Sequence, residues 1–156
     1  SEWKEKMMRA LADAENTRRR SVKDREDAGK YAVTGFAKDL LDFSDNFHRA
    51  LAAIPPELHD DERIASIISG LEAMDANLLK TFEKHGIKKI EPLDETFNPN
   101  FHEVMFEAPV PGKPAGIVIQ VVEAGYVIAD RLLRAAKVGI SKGGPLSGDH
   151  QVDKSA

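Results

Sequence analysis

The sequence predicts an α+β protein: a long N-terminal helix paired in a parallel dimer, a central four-helix bundle and a small C-terminal antiparallel β module. Two observations carry this expectation. Residues 1–53 contain no proline and consist largely of helix formers with an apolar stripe at helical spacing. From Ile87 onward the chain changes to short β-branched runs separated by proline and glycine.

Within residues 1–53 only Gly29 and Gly35 interrupt the helix formers. A heptad seam started at Trp3 fails beyond Ala14, where it meets Thr17, Ser21, Asp24, Gly35 and Lys38. An 11-residue repeat does better. Its rows are Trp3, Ala14, Arg25, Phe36, Phe47; Met7, Arg18, Gly29, Leu40, Leu51; Leu11, Val22, Val33, Ser44; and Ala10, Ser21, Ala32, Phe43, Ile54. Such a period implies paired helices that run nearly straight or slightly right-handed. A helix over residues 1–53 would span roughly 80 Å, whereas a compact chain of this length has a radius of gyration of about 15 Å. The stripe therefore calls for a second copy, and the expected assembly is a homodimer.

Pro55-Pro56 ends the first helix. Asp60 or Asp61 can cap a second over about 61–85, with Glu62 in its first turn. Ile64, Ile67, Ile68, Leu71, Met74, Leu78, Leu79 and Phe82 give it a wide apolar face, and His85-Gly86 is a plausible end with Gly86 left-handed. Phe36, Leu40, Phe43, Phe47 and Leu51 are expected on that face, so that two copies make the bundle. Strand-like runs follow at 87–90, 103–107, 117–123, 126–128 and 135–140, and Gly125-Tyr126 reads as a tight turn. The expected division is thus a helical dimerisation region over 1–86, a β domain over 87–142 and a disordered tail over 143–156.

Composition narrows function. Charged residues are 31 %, as suits an exposed helical surface, and the formal net charge of −4 argues against a protein built mainly to hold nucleic acid. The absence of cysteine excludes disulfides, thiolate metal sites and a cysteine nucleophile. No apolar run approaches the roughly 18 residues of a membrane span. The chain starts Ser1-Glu-Trp-Lys, without Met or a signal-peptide core, so the expectation is a fragment of a soluble cytoplasmic protein that lacks the residues before Ser1.

There is no phosphate-binding glycine loop, and the five histidines share no metal-like spacing with carboxylates. His102 and Glu103, adjacent on a strand, face opposite sides and do not converge. No catalytic residue, cofactor or metal is expected, and the chain does not read as an enzyme. Arg18-Arg19-Arg20 is the strong basic cluster; as a solvated helix face it is unremarkable chemically, but Arg18 falls on the seam, where a charge needs a partner. Gly70 sits in mid-helix, which serves either close packing in the bundle or close approach by a partner. Val122 and Ile140 belong to strands and can be core or an exposed gripping surface.

Four segments carry a resemblance: Glu15-Asn-Thr-Arg-Arg-Arg20, Asp45-Asn-Phe-His-Arg-Ala-Leu51, Phe97-Asn-Pro-Asn-Phe-His102, and Gly125-Tyr126 with Arg131-Leu-Leu-Arg-Ala-Ala-Lys-Val138. In this order and spacing the chain resembles the GrpE family, the nucleotide exchange factors of DnaK-type chaperones. The resemblance implies an elongated parallel dimer whose β wing and adjoining helix surfaces dock on the chaperone's nucleotide-binding domain and hold its cleft open, so that ADP leaves. It implies Arg18 and Arg49 as helix contacts, Gly70 as a position the partner needs clear, and Val122 and Ile140 as wing contacts. It also implies a role in the heat-stress folding system, with the DnaJ-type co-chaperone and unfolded clients as indirect partners and neither nucleic acid nor membrane as a partner. Asp27 departs from the pattern, since members can carry a basic contact residue there.

The competing reading is a dimeric coiled-coil spacer whose β modules tether unrelated partners. It predicts binding indifferent to nucleotide state. The polar band from Arg18 to Gly29 leaves few apolar groups to hold paired helices together, so this stretch is expected to melt before the bundle. Circular dichroism should show early helix loss below the main transition; a single cooperative transition would contradict this.

Overall fold

The computed structural model describes residues 1–144. Three helices, α1 (Glu2–Tyr31), α2 (Thr34–Ala52) and α3 (Glu62–Lys84), precede six strands. These are β1 (Ile87–Ile90), β2 (His102–Ala108), β3 (Val118–Glu123), β4 (Gly125–Ile128), β5 (Arg131–Arg134) and β6 (Ala136–Ser141). Residues 145–156, most of the expected tail, lie outside the described residues.

The helix expected over 1–53 is present as two segments. The ladder breaks at Ala32-Val33, where Val33 takes φ −89° and ψ 2°. The break has two causes: Gly29 and Gly35 weaken the helix on both sides, and Tyr31 is held by Asp130 of the β4–β5 turn and by Arg131 at the start of β5. α3 begins as expected, with the Asp61 carboxylate accepting from the Arg63 N–H at 3.0 Å. It ends at His85, followed by Gly86 at φ 74°.

The strands form two three-stranded sheets, ordered β1-β4-β5 and β2-β6-β3. The first is antiparallel throughout, but β2 pairs with β6 in parallel, which corrects the wholly antiparallel expectation. The chain passes through the other sheet between β2 and β6, and local pattern does not encode which way it returns. β5 was not expected as a strand: Arg131 and Leu132 are exposed at a sheet edge, so no alternation shows. Gly125-Tyr126 is not a turn but the start of β4. A Cβ on Gly125 would stand 2.5 Å from the Ala136 backbone N, so β4 and β6 approach each other through the missing side chain.

The core has two parts. The first joins helices to sheet: Ala37 and Leu41 of α2, Phe82 of α3, and Ile87, Tyr126, Ile128 and Leu133. Phe82 meets Tyr126 edge to face at 5.9 Å between centroids. The second, Val118, Ala136, Val138 and Ile140, lies under β3 and β6. α2 therefore turns Ala37, Leu41 and Ser44 inward. Phe36 and Phe43, expected against α3, are 70 % and 58 % exposed. α1 buries no residue at all, leaving Trp3, Met7, Leu11 and Val22 exposed.

His102 is a packing and hydrogen-bonding group. It is buried at the start of β2, and its Nδ1 accepts the Asn98 backbone N–H at 2.9 Å, with the ring near Phe97. Burial lowers its pKa below the ordinary 6.5, partly opposed by Glu95. The unfolded chain thus takes up a proton at this residue before the folded one does. Stability should fall as pH drops through about 6.5 and stop falling on this account below the folded pKa. Urea midpoints at fixed protein concentration check it, and the component should vanish in His102→Asn, whose amide oxygen can still accept from Asn98.

Candidate partner-binding surface

Where α2 meets the two sheets, one guanidinium ties them together. Arg134 of β5 donates through Nη1 and Nη2 to both carboxylate oxygens of Asp45 on α2, at 2.5 and 2.8 Å. Its Nε donates to the Ala124 carbonyl at 2.9 Å, Glu123 lies 3.3 Å from Nη1, and the Tyr126 ring lies 5.4 Å away. Both members of the main pair are about four-fifths buried in their side chains (18 % and 21 % exposed). The fork-to-fork geometry satisfies charges that would otherwise be costly there.

Beside this clamp opens a cavity of about 270 Å³. Asp45, His48 and Arg49 reach it because they lie three and four residues apart on one face of α2. α3 contributes Asp75, whose carboxylate is 3.3 Å from His48 Nδ1. β3 contributes Val121 and Val122. Alternation along the strand turns Val121 toward the second core and leaves Val122 51 % exposed. Lys89 and Glu91 form an ion pair at 2.8 Å on another wall. The result is an apolar floor with charges of both signs around it.

The structure thus brings Arg49 and Val122 to one cavity. Arg49 is exposed, and its Nη1 donates to Asn46 Oδ1 at 2.9 Å. Arg18 stands apart on α1, exposed, donating to both carboxylate oxygens of Glu15 at 3.0 and 2.9 Å. Hydrogen bonds from Arg18 and then Arg19 hold the Glu15 carboxyl below its usual range, and Glu15 in turn raises the Arg18 guanidinium. Gly70 is exposed on α3 with nothing within 4 Å of a Cβ built there, so packing within the chain does not account for it. Ile140 is 9 % exposed and belongs to the second core, so its side chain is a packing group rather than part of an exposed surface.

Sequence reasoning missed the clamp. Asp45 and Arg134 both stand in the segments that carried the resemblance, but a pair 89 positions apart leaves no periodic signal. Among the described residues no cluster of three or more His, Cys, Asp or Glu is placed to hold a metal ion. No helix among them is long and apolar enough to cross a membrane.

A helical stalk joined through a shared core to a two-sheet head carries an open cleft of mixed charge at the joint. The family model for GrpE matches residues 1–142, and the chain belongs to the GrpE family. It is 49 % identical over 146 residues to Protein GrpE of Brucella melitensis biotype 1, covering 93 % of this chain and 65 % of that protein. It is 47 % identical over 146 residues to Protein GrpE of Bradyrhizobium sp. strain ORS 278, covering 92 % and 71 %. To Protein GrpE of Methylocella silvestris it is 48 % identical over 144 residues, covering 91 % and 77 %. The chain thus spans slightly under two thirds of the length of the Brucella relative.

If the clamp sets the joint, Asp45→Asn should cost about 2–3 kcal/mol, because it leaves a largely buried guanidinium short of its counter-charge. Chemical denaturation at fixed protein concentration measures this. A loss below about 0.5 kcal/mol, the size of an exposed pair, would show the clamp to be incidental.

Proposed function

We propose that this chain is the docking region of a nucleotide exchange factor that acts on a DnaK-type chaperone in the cytoplasm, as part of the heat-stress folding system. Family membership supports the class of activity. The observation that carries the surface is the meeting of Arg49 and exposed Val122 at one open cavity on the joint between helices and head. A cation beside an apolar floor suits a partner face that offers an acidic group next to an apolar one.

In this reading the protein works as a dimer. A helix with no buried residue and five large exposed apolar side chains needs a partner for its stripe. Phe36 and Phe43 of α2 and Ile67 and Met74 of α3, all more than half exposed, become the core of a four-helix bundle with a second copy. The paired helical region over 1–86 then acts as the lever, and the β wing over 87–142 as the head that grips. Arg18 and Arg49 contact the chaperone from the helices, Val122 does so from the wing, and Gly70 leaves α3 clear for its approach. Ile140 contributes by setting the shape of β6 from inside.

No bond is made or broken by this chain. It binds the open form of the nucleotide-binding domain more tightly than the closed, ADP-loaded form and so shifts the population toward open. Linkage makes the effect reciprocal: ADP weakens this protein's binding by the factor by which the protein weakens ADP. The DnaJ-type co-chaperone and unfolded clients are partners of the chaperone cycle, not of this surface.

Release of a fluorescent ADP analogue from DnaK, followed by stopped flow with and without this protein, tests the reading. Faster release is expected, and an unchanged rate would overturn it. Arg18→Glu and Arg49→Glu should slow exchange while sedimentation still reports a dimer. Gly70→Ala should raise the stability of α3 by up to about 1 kcal/mol, since its Cβ has open space, yet weaken docking.

A further inference from the structure

The junction of α1 and α2 is held by a contact that the docking surface does not use. Tyr31, the last residue of α1, donates its hydroxyl to Asp130, and the Arg131 guanidinium lies over its ring at 3.7 Å from the centroid. Asp130 sits in the turn between β4 and β5, and Arg131 opens β5. That turn is a firm mount. Ala129 holds a left-handed backbone at φ 50°, and its N–H donates at 2.8 Å to the carbonyl of Gly86, the left-handed residue just past α3.

The helix break lies immediately after the contact, at Ala32-Val33. Next to it, Thr34 Oγ1 is the one buried side-chain polar atom without a hydrogen-bond partner among the described residues. A threonine within a continuous helix can donate to the carbonyl three or four residues back, here Tyr31 or Lys30. The break leaves that hydrogen bond unmade. Gly29 and Gly35 flank it, with nothing within 4 Å of a Cβ at either, so the backbone can rearrange on both sides without collision. The contact with the turn and the continuity of the helix are alternatives.

We propose that Ala32-Val33 is a hinge latched by the clasp of Tyr31 between Asp130 and Arg131, and that opening the latch lets residues 2–52 run as one helix. The hinge lies between Arg18 on α1 and Val122 on the head, so the latch sets how stalk and head are aimed relative to each other. An event that engages the β4–β5 turn is thereby communicated to the stalk, and the reverse. The clasp and the orphaned hydroxyl pull the equilibrium in opposite directions, as a two-state element requires.

The chain has no cysteine, so labels can be placed at will. Spin labels on Lys23→Cys in α1 and Lys88→Cys in β1, both exposed sites, report the stalk-to-head distance by pulsed dipolar spectroscopy. Diluting labelled chains with unlabelled protein restricts the reading to distances within one chain. Tyr31→Phe, which keeps the ring, and Asp130→Ala should each raise a second distance population roughly tenfold, as expected for loss of a hydrogen bond to a charged group. Amides 32–36 should exchange more slowly in these variants as the ladder closes. Thr34→Val, which removes the orphaned hydroxyl, should deplete the second population. Opposite shifts from Tyr31→Phe and Thr34→Val cannot arise from loss of fold. Unchanged distances in both latch variants, or faster exchange at 32–36, would overturn the proposal.

Discussion

The joint between helices and head depends on how one cation is satisfied. Arg134 spends two donors on Asp45 and a third on the Ala124 carbonyl, with Glu123 and the Tyr126 ring completing its surroundings. Burying a guanidinium is costly unless such groups converge. Because Asp45 belongs to α2, Ala124 to the link between β3 and β4, and Arg134 to β5, the cost is avoided only when all three take one relative placement. The apolar contacts of Ala37, Leu41, Phe82 and Tyr126 provide most of the driving force, but they are non-directional. The clamp selects one orientation among those that would bury similar area.

That orientation is what turns separate residues into a surface. Arg49 follows Asp45 by one helical turn, and Val122 precedes Glu123, so both are carried to the cavity by the elements the clamp joins. Lys89 and Glu91, paired on one wall, and His48 with Asp75 keep the rim polar. A ready-made surface has an advantage, since one that must be ordered on binding spends part of its binding energy on that ordering. The two halves of the chain differ sharply in this respect. The head and its helices share a core, while α1 buries nothing and owes its direction to what happens at Ala32-Val33.

Much of the architecture was legible in the residues. The proline-free helical pattern, the Pro55-Pro56 stop, the Asp61 cap and Gly86 act within a few positions of themselves, so local sequence suffices to read them. The same holds for five of the six strands at nearly their observed bounds. β5 was hidden because an exposed edge strand with arginines at both ends has no alternating pattern. The Gly125-Tyr126 reading failed for a related reason: glycine there serves the approach of β4 to β6, which only the three-dimensional neighbour reveals. Of the site residues, exposure sorted Val122 from Ile140, two apolar residues on strands that composition could not distinguish.

By itself the sequence determined the class of the molecule, its helical and strand segments and its family, because hydrophobic period, capping and turn chemistry, and motif order are properties of neighbours along the chain. Only the tertiary structure decided the parallel pairing of β2 with β6, the break at Ala32-Val33, the inward turn of Ala37 and Leu41 in place of Phe36 and Phe43, and the clamp on Arg134. Each of these is a contact between residues far apart in the chain. Its energy depends on distance and burial in space, quantities that no local pattern carries.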